Sequence, residues 1–144
     1  MKASDKPIII EERYNASVQK VWDALTNIDR MRLWYFQNIP DFVPEEGFTT
    51  QFNVESGGRD FLHIWRVTEV IPLQLIKYSW EFVGYPGRST SAFHLFSDNQ
   101  STLLRLVVEV QEDFPEFIPE FRRESCINGW EYFLKGNLKI FLEK

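Results

Sequence analysis

Between Pro119 and Leu142 the sequence reads as one long helix, and that helix cannot stand in water. At about 100° per residue, Cys126, Trp130, Phe133, Leu134, Asn137, Leu138 and Phe141 fall on one broad side. Glu124, Asn128, Glu131, Lys135 and Lys139 fall opposite. The apolar arc covers about half the circumference, against roughly 100° for an ordinary surface helix. A side that wide needs a concave surface to cover it, and the rest of the chain has to supply one.

The preceding residues have the periodicity of strands. Pro7 to Tyr14 predicts a first strand, with β-branched weight from Ile8, Ile9 and Ile10. Ser17 is a good N-cap for a short amphipathic helix carrying Val18, Val21, Trp22 and Leu25 at i, i+3, i+4 and i+7. Ile28 to Trp34 predicts a second short helix. Tyr35 to Gly47, with Pro40 and Pro44, predicts a loop whose Phe36, Ile39, Phe42 and Val43 need cover. From Phe48 the period becomes two, with Phe48, Thr50, Phe52 and Val54 on one face and a hairpin signal at Gly57-Gly58. Phe61 to Val70 is a strand with apolar residues on both phases, so its inward face stays open. Ile76, Tyr78, Trp80 and Phe82 alternate with Lys77, Ser79 and Glu81. Tyr85-Pro86-Gly87 predicts a turn, Ser89 to Phe96 a strand, Asp98-Asn99 a hairpin tip, and Leu104, Leu106, Val108 and Val110 the inward face of a last strand. Short turns between successive strands predict an antiparallel meander.

A chain of 144 residues is one domain, spanning 1–144, and buries enough surface for a core with room for one internal pocket. Aromatic residues make up 16% of it, and large flat side chains dominate both cores and binding sites, which raises the odds of a cavity. The net charge is −5, and the densest basic pair, Arg122-Arg123, is flanked by Glu120 and Glu124. Nucleic-acid binding needs a positive footprint and is set aside. No segment has a signal core or the length of a membrane span. The single cysteine, Cys126, forbids an internal disulfide and suits a reducing cytoplasm.

The order strand, two short helices, strand meander and long terminal helix resembles the START / birch-pollen-allergen superfamily. Ala16-Ser17 through Val21-Trp22-Asp23-Ala24-Leu25-Thr26, with Trp34 later, is similar to that superfamily's entry into its first helix. Val67-Thr68-Glu69-Val70-Ile71-Pro72 followed by Tyr78-Ser79-Trp80 is similar to its central hairpin. Gly129-Trp130-Glu131-Tyr132-Phe133-Leu134 resembles its terminal Gly-Trp-x-x-x-Leu signature. Together these resemble the branch named for the activator of the heat-shock-protein-90 ATPase, over roughly Ile10 to Leu142. A histidine common near the terminal Gly-Trp of that branch is absent here, where Cys126 and Asn128 stand instead. The resemblance implies an α+β helix-grip fold, a curved antiparallel sheet wrapped around a long C-terminal helix, with two short helices after the first strand.

The expected function is non-catalytic binding of a small hydrophobic molecule between sheet and helix. The expected walls are Trp34, Phe36, Phe52, Phe61, Trp65, Trp80, Leu95, Leu104, Leu106, Cys126, Trp130 and Phe133, with Tyr78 and Asn137 as polar anchors. An amide amid apolar side chains costs roughly 1–3 kcal/mol if unpaired, so Asn137 needs a partner, and backbone ranks ahead of a ligand. The same rings would equally fill a core with no hole. His63 and His94 both fall in strands without metal-site or catalytic spacing. Whichever faces inward is the best candidate to fix a ligand's polar end. Cys126, on an apolar arc, reads as a small hydrophobe. Glu11-Glu12, Glu45-Glu46 and Glu112-Asp113 read as solvated charge at strand ends or in loops. No cofactor or metal is expected. The resemblance adds two further readings. One is a chaperone-activating partner, ranked lower because the full eukaryotic activator has an additional N-terminal domain with no counterpart before this first strand; a homodimer is a separate expectation that the resemblance does not supply. The other is an enzyme akin to cyclases and dehydratases of polyketide-like substrates.

Overall fold

In a computed structural model describing residues 1–144, six strands form one antiparallel sheet. The strands are β1 (Ile8–Tyr14), β2 (Thr49–Ser56), β3 (Arg59–Ile71), β4 (Leu75–Phe82), β5 (Tyr85–Asp98) and β6 (Ser101–Glu112). Their order is β1-β6-β5-β4-β3-β2, so the meander from β2 to β6 is closed by the first strand pairing with the last. Helices α1 (Val18–Thr26) and α2 (Ile28–Trp34) follow β1. Register shifts at Val67/Glu69, Trp80/Phe82 and Arg88/Ser89 mark bulges, which bend strands, and the sheet curves around the terminal helix.

The predicted Ser17 cap forms, and Asn27 adds a second. The Ser17 hydroxyl accepts from Lys20 N–H at 3.3 Å, and the Asn27 side chain accepts from Arg30 N–H at 3.2 Å, so one residue ends α1 and starts α2. The loop after α2 is folded over the sheet, with Ile39 and Phe42 buried. Arg32 holds it there by donating to the carbonyls of Ile39 and Pro40.

One expected turn is misplaced. Tyr85-Pro86-Gly87 lies within β5, and the chain reverses at Val83-Gly84, where Gly84 has φ +84°. Pro and Gly are tolerated in the strand because they precede the bulge at Arg88/Ser89, beyond which β5 resumes regular pairing with β6. Gly87 is required there for a second reason. Its φ is +118°, and a Cβ would lie 2.3 Å from a Phe114 ring carbon. Glu11 and Glu12 sit inside β1 rather than at its end: Glu11 pairs with Arg105, and Glu12 with Lys135 and Lys139 of the terminal helix.

The terminal helix is not uniform. It runs as α-helix over Arg123–Glu131, as a π segment over Tyr132–Asn137, and again as α-helix over Leu138–Leu142, preceded by a 3-10 turn at Pro119–Phe121. The π segment has a packing consequence. Four residues of α-helix overshoot a full turn by about 40°, so Trp130, Leu134, Leu138 and Leu142 would drift by about 120° along a regular helix. The wider turns of the π segment bring them back into line, and all four are buried. The same segment sends Leu138 N–H to the carbonyl of Phe133, one residue further back than α geometry requires. The Leu134 carbonyl is thereby freed, and the buried Tyr14 hydroxyl donates to it at 2.6 Å. Burial pushes the Tyr14 pKa up, so the donor keeps its proton.

Candidate functional site

Two apolar clusters share the inside of the sheet. The larger runs from α1 and α2 through Trp34, Trp65, Tyr78, Phe93, Leu104 and Leu106 to Leu134 and Leu138. The smaller consists of Phe61, Phe114, Ile118 and Phe121 and closes the end of the fold where the terminal helix begins. Between them lies a cavity of about 300 Å³.

Small side chains from both sheet and helix line the cavity. On β5 the inward positions run Ser89, Ser91, Phe93, Leu95. On the terminal helix the corresponding stripe runs Ser125, Cys126, Gly129, Trp130, Phe133. The two serines are buried in the sheet wall, Cys126 is half-buried, and Ser125 and Gly129 are exposed at the open side of the cavity, while the larger residues further along each element pack into the main core. Val54 and Ser56 of β2, Phe61 and His63 of β3, Trp80 and Phe82 of β4, and Val108 of β6 complete the sheet wall. Phe36, Phe114, Glu120, Phe121 and Met1 contribute from outside the regular elements. The rings brace one another, with Trp80 to Trp130 at 5.6 Å and Phe36 to Phe133 at 5.1 Å between centroids, both near edge-to-face.

The sequence-derived wall divides in two. Phe36, Phe61, Trp80, Cys126, Trp130 and Phe133 line the cavity. Trp34, Phe52, Trp65, Tyr78, Leu95, Leu104 and Leu106 face the interior but lie in packed core beside or beyond it. Neither anticipated anchor reaches the cavity. The Tyr78 hydroxyl is hydrogen-bonded to that of Tyr35 at 3.0 Å, and burial raises both pKa values. Asn137 donates from Nδ2 to the Trp34 carbonyl at 3.2 Å, a backbone partner, as ranked ahead of a ligand, at the end of α2.

The polar lining comes from other residues. His63 faces inward, 5% exposed, and His94 lies on the opposite phase of its strand, half-buried. The His63 ring stacks on Phe52 at 4.9 Å and meets Trp80 and Phe82 near edge-on. Its Nδ1 is 2.8 Å from the Phe61 carbonyl, which can only accept, so Nδ1 carries the proton and Nε2 presents a lone pair. Burial lowers the His63 pKa to about 4, outweighing the raising effect of that carbonyl, and the ring is neutral. Burial likewise pushes the Cys126 thiol up to about 11, so it is no thiolate. Glu120, at the rim, accepts from Ser56 Oγ at 3.0 Å through Oε2, while Oε1 has the Arg59 guanidinium at 3.5 Å, an ion pair without hydrogen-bond geometry. No group of three or more His, Cys, Asp or Glu side chains is placed to hold a metal ion. No helix is long and apolar enough to cross a membrane.

Ser89 and Ser91 were missed, although their signal was present: they share the inward phase with Phe93 and Leu95. Only the β3–β4 pairing settles His63, because it puts His63 beside Phe82 and Trp65 beside Trp80 on one face.

The profile of the family described as activator of Hsp90 ATPase homolog 1-like proteins matches residues 15–143. The chain belongs to that family. Among solved structures, a protein of Chromobacterium violaceum is 21% identical, with a TM-score of 0.79 over 96% of this chain and 97% of its own. The Aha1 dimer of Colwellia psychrerythraea, determined in solution, is 22% identical, with a TM-score of 0.74 over 96% and 97%. DynU16, a protein of the dynemicin biosynthetic locus, is 21% identical, with a TM-score of 0.76 over 97% of this chain and 48% of its own. At these identities the likeness is one of fold. No curated protein matches the chain.

Proposed function

We propose that this family member binds a small, flat, largely apolar molecule in the cavity between the sheet and the first half of the terminal helix. The observation that carries the reading is a cavity framed by mutually braced rings, with the buried Ser89 and Ser91 on its sheet wall and the exposed Ser125 and Gly129 at its open side. A domain packed only for stability would fill this space with larger side chains, since close packing is the norm. The volume of about 300 Å³ stands at the lower end of the range for small-molecule sites. Phe36, Phe61, Trp80, Cys126, Trp130 and Phe133 supply the apolar contact. The cytoplasm is the expected compartment.

Titration with naphthalene, followed by tryptophan fluorescence and thermal melting, tests this. A ligand at 100 times its dissociation constant stabilises the protein by about 2.7 kcal/mol. Ser91→Leu should abolish the effect, because Ser91 is 1% exposed and lines the cavity, so a larger side chain there takes up ligand space. Equal naphthalene binding by a cooperatively folded Ser91→Leu variant and the unmodified chain removes the reading.

The family's name and the dimeric Colwellia relative favour a second reading, contact with a chaperone or with a second copy of the chain. Leu33 and Ile140 are exposed beside a groove between α2 and the terminal helix, a surface such a contact could use. Unaltered ATP turnover by a heat-shock-protein-90 chaperone in the presence of this protein would eliminate the chaperone arm.

A further inference from the structure

Three polar groups inside the cavity have no partner in the protein. Ser89 and Ser91 are 5% and 1% exposed, both line the cavity, and neither hydroxyl meets another protein group at hydrogen-bonding distance. His63 spends Nδ1 on the Phe61 carbonyl, and its Nε2 lone pair is unmet. None of the three is sealed from the cavity, since the only sealed side-chain atoms without a partner are Trp65 Nε1 and Glu120 Oε1. Each is therefore open to a molecule in the cavity and free to hydrogen-bond with it.

Their placement is ordered by the sheet. Ser89 pairs in register with Trp80, and Ser91 with Tyr78, so the serines lie on the strand to one side of Trp80. His63 lies on the strand to its other side and meets the Trp80 ring at 5.3 Å between centroids. A flat molecule resting against Trp80 would have an acceptor at one end and two hydroxyls, able to donate or accept, at the other.

We propose that His63, Ser89 and Ser91 select an uncharged aromatic molecule bearing a hydroxyl at one end and a second oxygen at the other. The ligand O–H donates to Nε2 of His63, and the second oxygen meets the serine hydroxyls. This rests on the cavity being a binding site and adds which ligand chemistry it accepts. A carboxylate at the His63 end is rejected, because it would set a negative oxygen against a lone pair in an aromatic enclosure.

The test compares naphthalene, 2-naphthol, 2,6-dihydroxynaphthalene and 2-naphthoate by isothermal titration. One neutral hydrogen bond is worth about a three- to tenfold change in affinity. In the unmodified protein 2-naphthol should bind about that much tighter than naphthalene, the diol tighter again, and 2-naphthoate weakest. His63→Phe should reverse the order of naphthalene and 2-naphthol, because the ligand hydroxyl is then buried without an acceptor. Ser89→Ala combined with Ser91→Ala should erase the advantage of the diol over 2-naphthol and leave the naphthol preference in place. Naphthalene binding with no gain from the hydroxyl, or a gain that survives His63→Phe, overturns the assignment while the apolar cavity stands. Should His63→Phe fail to melt cooperatively, the serine pair decides, and an unchanged diol-to-naphthol ratio overturns it. Absence of binding by naphthalene and both hydroxylated probes takes down the cavity reading and this assignment together.

Discussion

His63 should make the protein acid-sensitive in a window of its own. The perturbation is pH, with His63→Phe as the control that removes the titrating group while keeping an aromatic ring in the aromatic surround of Phe52, Trp80 and Phe82. In the unfolded chain the imidazole takes up a proton near pH 6.5, whereas burial holds the folded pKa down to about 4. Between those values the unfolded state binds a proton that the folded state refuses. Stability is therefore intact above pH 6.5, falls as the pH drops toward 4, and loses nothing more to this group below that. At 1.36 kcal/mol per pKa unit, the loss attributable to His63 is about 2 kcal/mol by pH 5 and about 3 kcal/mol by pH 4. Urea denaturation of both proteins at pH 7, 6, 5 and 4 gives the difference in unfolding free energy at each pH, and carboxylates common to both cancel. The difference should shift toward the variant by those amounts. A pH-independent difference would mean that the folded imidazole titrates normally, and with it would go the dry aromatic enclosure on which the acceptor role of Nε2 depends.

Two further substitutions test the frame. Tyr14→Phe removes the donor to the Leu134 carbonyl and should cost about 1–3 kcal/mol by urea denaturation, since that carbonyl is released by the π segment and stays buried; a neutral result would show that the helix repairs its own hydrogen bonding. Gly87→Ala places a methyl against the Phe114 ring at a positive φ and should lower stability by about 1–3 kcal/mol, read as a drop in melting temperature; no drop would mean the small cluster yields freely.

The fold was legible because its strongest signals are periodic. The alternation in Phe48 to Val54 and Ile76 to Phe82, the Ser17 cap and the broad apolar arc of the terminal helix each follow from local geometry, and each element formed as expected except that the terminal helix begins at Arg123, after a separate 3-10 turn at Pro119–Phe121 and an extended Arg122. The turn placed at Tyr85-Pro86-Gly87 failed because Pro and Gly mark irregular backbone, and a bulge entering a strand has the same composition as a turn leaving one. The site was half legible. Periodicity gives the face on which a residue lies and says nothing of its depth along the element, so Trp65 and Leu104 were grouped with Trp80 although only Trp80 reaches the cavity. The π segment left no sequence mark beyond the four-residue spacing of Trp130, Leu134, Leu138 and Leu142, which reads equally as a slightly drifting α-helix.

That spacing explains how the chain keeps a hole in a domain with limited core. A large cavity weakens a fold unless the remainder is packed well enough to offset it. Here the terminal helix separates the two tasks along its length. From Leu134 on it presents Leu134, Leu138 and Leu142 in one aligned row against a filled core, and up to Phe133 it presents Ser125, Cys126, Gly129, Trp130 and Phe133 to the cavity. The π segment spans the changeover, where it realigns the leucine row, and Tyr14 from β1 satisfies the carbonyl that the irregularity leaves over. Substitutions in the row should therefore act on stability and leave ligand preference alone, while those at Gly129, Ser89, Ser91 and His63 act on binding first. The division rests on that one irregular stretch of helix, because without it Leu142 would turn away from the core and the filled half could no longer offset the open one.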